Sequence, residues 1–105
     1  GRRTIKVLAK ELRRRLKKYD LVIDVEGHTD DIPIETAQFP SNWELSSSRA
    51  ASVVKLFTDR GIPSNVVRAI GLADSHPKKP NRTKKGTPIA ANMAANRRVD
   101  VIVHY

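Results

Sequence analysis

Apolar residues at Ile5, Leu8, Ala9, Leu12, Leu16 and Tyr19 recur every three or four positions, the period of a helix with one buried stripe. Lys6, Lys10, Arg13 and Lys17 fall on a neighbouring stripe, so this first segment reads as an amphipathic helix with a basic flank. The period then shortens to two. Leu21, Ile23 and Val25 alternate with Val22, Asp24 and Glu26 up to Gly27, which predicts a strand with one buried face and one largely wet face. His28 to Pro40 carries two prolines and keeps no period, and reads as a loop leaving the strand end.

Ser41 and Glu44 have capping-box spacing: the serine side chain is expected to take an orphan amide, and the glutamate to return to the cap amide. A helix is therefore predicted to begin close to Asn42, with Leu45, Ala50, Val53, Val54 and Phe57 facing inward and Gly61 followed by Pro63 as its stop. Val66 to Gly71 is a short strand reached by a crossover, which makes a βαβ unit with the first strand. Asp74 to Pro88, rich in proline and lysine, reads as an exposed loop, and Ile89 to Asn96 as a short helix. Val99, Val101 and Val103 then alternate with Asp100, Ile102 and His104 in a last half-buried strand. Together these elements predict an α+β two-layer sandwich, with two long helices on one face of a small mixed sheet.

The length of 105 residues, with 39% apolar content, fits one domain spanning 1–105 and a single modest core. No stretch approaches the roughly 20 apolar residues that cross a bilayer. The chain lacks cysteine, which removes disulfides and thiolate metal sites. A net charge of +9 points to an anionic partner, yet nine basic residues lie between Arg2 and Lys18, five between Lys78 and Lys85, and seven acids between Asp20 and Glu44. That segregation differs from the even basic surface of a nucleic-acid-binding domain, which stands as a rival reading; no specific nucleic acid is expected as a partner.

Two segments carry candidate chemistry. Gly27-His28-Thr29-Asp30 closes the first strand, and Asn42-x-x-Leu45-Ser46-x-x-Arg49-Ala50 opens the next helix. Spacings of three and four place Asn42, Leu45 and Arg49 along one helix stripe, beside the point where Asp30 leaves the strand. A carboxylate and a guanidinium held close together and facing solvent suit a zwitterion, because the first takes an ammonium and the second a carboxylate. The same two residues also read as an ordinary salt bridge bracing the loop.

These motifs, followed by Asn96-Arg97-Arg98-Val99, resemble the OmpA-like peptidoglycan-binding family over roughly residues 5 to 105. The wording Gly27-His28-Thr29-Asp30-Asp31-Ile32-Pro33-Ile34 and Ser41-Asn42-Trp43-Glu44-Leu45-Ser46 is similar to its flagellar stator branch, the B subunits called MotB. The resemblance implies the OmpA-like sandwich and non-covalent binding of the peptidoglycan stem peptide, with Asp30 on the ammonium of diaminopimelate and Arg49 on its carboxylate. Thr29, Asn42, Leu45 and Arg97 would complete the site. It further implies a homodimer and a periplasmic place. Inner-membrane attachment and contact with the stator A subunit, MotA, would come through a transmembrane helix upstream of Gly1. A general wall anchor of an outer-membrane protein or lipoprotein is the alternative within the family. The chain departs from the family at Gly71-Leu72-Ala73-Asp74, where many members have Gly-Tyr-Gly-Glu.

Other constellations are weaker. His28 with Asp30, Asp31 and Glu35 has the residue types of a metal cluster, but reads as a solvated acidic loop, so neither metal nor cofactor is expected. Pairing Asp30 with Glu44 or His28 as acid and base leaves no nucleophile or oxyanion hole defined, and a non-enzymatic module is expected. Trp43 and Phe39 suit either sugar stacking or a lid over the helix start.

Overall fold

The computed structural model describes residues 2 to 105. Helix α1 (Arg2–Leu16) leads into strand β1 (Val22–Gly27), helix α2 (Asn42–Asp59) and, after a 3-10 turn at Ser64–Val66, strand β2 (Val67–Gly71). Helix α3 (Ala90–Asn96) and strand β3 (Val99–His104) complete the chain. The sheet order is β2-β1-β3, with β1 parallel to β2 and antiparallel to β3. The predicted α+β sandwich, its mixed sheet and its βαβ unit are all present.

Ala9 and Leu12 of α1, Ile23 and Val25 of β1, and Ala50 and Phe57 of α2 form the core together with Ile62. Val99, Val101 and Val103 pack against it from β3. The two long helices therefore cover the sheet face that carries the odd-numbered residues of β1. Two glycines permit this approach. A Cβ on Gly27 would stand 2.1 Å from the carbonyl oxygen of Ser46, and one on Gly71 would stand 2.0 Å from the hydroxyl of Ser47. The first turns of α2 thus lie directly on the ends of β1 and β2.

Several expectations need correction. Tyr19 is exposed beyond the end of α1, where its ring meets Tyr105 edge-on at 5.6 Å. The opposite sheet face is not uniformly wet: Asp24 is buried beneath Arg68, which donates to it at 2.6 and 3.0 Å, and beside the His104 ring at 2.9 Å. The Arg68 guanidinium foremost, then His104, holds the Asp24 carboxyl below the usual aspartate range against the opposing effect of burial. At the start of α2, Ser41 accepts from the Trp43 amide, but its hydroxyl donates to the Glu44 carboxylate, so the glutamate reaches the cap side chain rather than the cap amide. The predicted stop is present in full: Gly61 has φ +92°, its N–H donates to Thr58 and that of Ile62 to Phe57, a Schellman closure.

Candidate functional site

The site grows from the place where β1 runs out beneath α2. Thr29 follows the strand, and its N–H donates to the carbonyl of Ala73 at 2.8 Å. The Ala73 N–H in turn donates to the fully buried hydroxyl of Ser46 at 3.0 Å. Ala73 has φ +51°, a left-handed conformation that favours glycine, and these two hydrogen bonds hold it there. The strap fixes the strand-end loop against the helix.

Asp30 comes next and is buried, with 9% of its side chain exposed. One carboxylate oxygen accepts the Ile32 N–H at 3.0 Å, which closes a tight turn, and the other accepts from the Arg97 guanidinium at 2.6 Å. The Thr29 hydroxyl donates to the Asp30 carbonyl at 2.8 Å. Asn42, one residue into α2, donates its side-chain amide to the Ile32 carbonyl at 3.0 Å. Loop, helix start and the residue after α3 are thereby tied together around one carboxylate.

A cleft of about 240 Å³ opens above it, lined by Thr29, Asp30, Asn42, Leu45, Arg49 and Arg97 and rimmed by Ile32, Pro33 and Ile34. Every residue named from sequence as a site member borders this one cleft. The pairing differs from the expected one, however. The cation on Asp30 is Arg97, delivered by the turn between α3 and β3, whereas Arg49 stands exposed on the helix wall of the cleft. Asp30 is also a buried anchor of the loop rather than a carboxylate facing solvent. The apolar rim was missed; its signal was three consecutive apolar residues, Ile32-Pro33-Ile34, inside an otherwise acidic loop.

Chemically, the cleft offers one carboxylate shared with one guanidinium, a second, exposed guanidinium, side-chain amide and hydroxyl groups, and an apolar lip. Such a lining offers a partner to each charge of a small zwitterionic group and an apolar surface to a short aliphatic stem. Trp43 is half exposed and lines a neighbouring dip together with Asp31, Pro33, Asp74 and the helix-start residues Ser41 and Asn42. His28 is not part of a solvated loop: it is buried, its neighbours are Glu26 and Asp100, and desolvation pushes its pKa below the ordinary histidine value.

The profile of the OmpA family matches residues 1–90 of this chain. The chain belongs to the OmpA family. It is 44% identical over 82 residues to the uncharacterized protein YtxE of Bacillus subtilis, covering 77% of this chain and 31% of that protein. It is 34% identical over 82 residues to motility protein B of the same organism, covering 77% and 29%. The OmpA domain described here thus spans about a third of the length of these relatives. The crystal structure of the C-terminal domain of Helicobacter pylori MotB, 27% identical, superposes with a TM-score of 0.82 over 99% of this chain and 73% of that one. The fold and the family expected from the motifs are therefore those found. Among the described residues, no helix is long and apolar enough to cross a membrane.

Proposed function

We propose that this OmpA domain binds peptidoglycan without chemistry and serves as the wall-anchoring end of a flagellar stator B subunit. The observation that carries the reading is the convergence of Asp30, Arg97 and Arg49 on one small cleft. The stem-peptide diaminopimelate exposes an ammonium and a carboxylate on one carbon, and the cleft presents a partner for each. Asp30 takes the ammonium on lone pairs left free by Arg97 and the Ile32 amide, since a carboxylate accepts about four hydrogen bonds. Arg49 swings onto the ligand carboxylate and makes the bidentate contact that its fork favours. Arg97 neutralises Asp30 while the site is empty. Leu45 and the Ile32-Pro33-Ile34 lip pack the aliphatic stem.

A likeness to the outer-membrane lipoprotein YfiB of Pseudomonas aeruginosa, 36% identical over 81 residues, keeps a general envelope anchor as the alternative, while the likeness to motility protein B and MotB supports the stator. On that reading the domain is periplasmic, works as a homodimer, and belongs to a chain held in the inner membrane beside the stator A subunit, MotA.

Co-sedimentation with purified peptidoglycan, scored also for released fragments, tests the binding. Arg49→Ala is the cleanest variant because its side chain braces nothing in the loop; it is expected to lose wall binding by about 2–5 kcal/mol with an unchanged melting temperature. Asp30→Asn is expected to lose binding as well, and free diaminopimelate to compete with the wall. Pelleting by Arg49→Ala equal to the parent would overturn the site, and soluble muropeptides would overturn the non-catalytic reading. Motility restored by the full-length chain in a stator-deficient strain, and lost in Arg49→Ala, separates the stator from a general anchor.

A further inference from the structure

Glu26 lies on the sheet face away from the helices near the end of β1, and His28, the first residue beyond that strand, donates its N–H to the Arg98 carbonyl at 2.8 Å and turns its ring toward the Glu26 carboxylate. Asp100 of β3 is the direct antiparallel partner of Glu26, which brings it onto the same face. The His28 ring sits behind these two carboxylates with 3% of its side chain exposed. Neither ring nitrogen has a hydrogen-bond partner. A buried imidazole without a partner is costly, because each polar atom has given up water for nothing. Its Nε2 points between the acids, 3.6 Å from Glu26 Oε1 and 3.5 Å from Asp100 Oδ2.

Those separations are long for hydrogen bonds and match another geometry. Ligand atoms held about 2.0–2.2 Å from one tetrahedral ion stand about 3.3–3.6 Å from each other. Among the described residues this is the one group of three potential ligands whose donor atoms lie together, all within 4.8 Å. Imidazole nitrogen with two carboxylate oxygens is a donor set suited to borderline divalent ions.

We propose that Glu26, His28 and Asp100 bind a divalent transition-metal ion, with Zn2+ as the type. The ion gives the orphaned His28 nitrogen its partner and joins the end of β1 to β3. Arg98, which donates to Asp100 Oδ2 at 3.0 Å, competes for that ligand and swings aside when the ion enters. Glu26 and Asp100 remain partly open to solvent, so the site exchanges its ion and keeps a position for water. The loop to Thr29 and Asp30 leaves from His28, so occupancy also stiffens one wall of the cleft. Metal binding by Glu26, His28 and Asp100 does not depend on which ligand fills the cleft.

The test is titration of chelator-treated protein with ZnCl2 by calorimetry, together with the visible spectrum after CoCl2 addition. One equivalent of Zn2+, a raised melting temperature and the ligand-field bands of a low-coordinate Co2+ site are expected. Glu26→Gln and Asp100→Asn each remove one ligand from a partly exposed position and are expected to weaken Zn2+ binding by at least about tenfold. His28→Ala should abolish it; should that variant fail to fold, the two carboxylate variants still decide. His76→Ala and His104→Ala, which alter the other histidines, should bind as the parent does. No saturable binding of Zn2+ or Co2+, or binding that survives both Glu26→Gln and Asp100→Asn, would overturn the assignment.

Discussion

Replacing Gly27 with alanine tests how the fold positions its site. The added Cβ would lie 2.1 Å from the Ser46 carbonyl oxygen and 2.9 Å from its carbon, where ordinary contact begins near 3.4 Å. Helix and strand must therefore separate by about 1.3 Å at this point. Neither partner has slack to give. The obstructing atom is helix backbone, which cannot rotate away, and the Ser46 side chain is fully buried and tied to Ala73 at 3.0 Å. The cost belongs at the upper end of overpacking penalties, about 3 kcal/mol. For a domain of this size that lowers the melting temperature by roughly 10–20 °C. Gly86→Ala is the control: no atom lies within 4 Å of its Cβ, and only its φ of +86° opposes the change. It should cost about 1 kcal/mol. Thermal melts followed by circular dichroism read both variants. Wall pelleting below the melting temperature should fall for Gly27→Ala alone, since the displaced turn carries Asn42 and its 3.0 Å contact with Ile32. A Gly27→Ala melt within about 2 °C of the parent would refute the argument that this close approach is required.

Acid should weaken the fold through Asp24. Its pKa is depressed by Arg68 and then His104, so the unfolded chain binds the proton more tightly, and the stabilisation is complete above the ordinary aspartate pKa near pH 4 and is lost as pH falls through the folded value. Urea unfolding between pH 7 and pH 2.5 should give a shallower acid limb for Asp24→Asn than for the parent; identical limbs would refute the assignment. Asn96, fully buried, accepts from the Lys78 and Lys79 amides and donates to the Lys79 carbonyl and to Asn81, so Asn96→Ala should cost about 2–4 kcal/mol and speed amide exchange throughout the 78–88 loop. Unchanged exchange in that loop would show that Asn96 does not hold it.

The chain's apolar periods located every strand and the later two helices to within a residue or two and α1 to within about one turn, because the stripes of α1 and α2 and the valines of β3 bury one face each, and burial of a face is written in local sequence. The α2 boundaries were legible for a similar reason: Ser41 and Gly61 act through hydrogen bonds within their own turns. Membership of the site was legible from the motifs around Thr29–Asp30, Asn42–Arg49 and Arg97, whose residues all border one cleft. Its pairing was not. Whether Asp30 meets Arg49 or Arg97 depends on where the turn after α3 returns to the end of β1, 67 residues away in sequence, and no local period encodes that distance. The outer face of β1 follows the same rule. Asp24, Glu26 and His28 alternate as a solvated strand edge would, yet pairing on both sides of β1 brings Arg68, His104 and Asp100 over them. Sequence determined which residues could carry charge chemistry. Only the closing of the sheet decided which charges share a site, because Coulomb attraction and desolvation act over a few ångströms of space, whatever the distance along the chain.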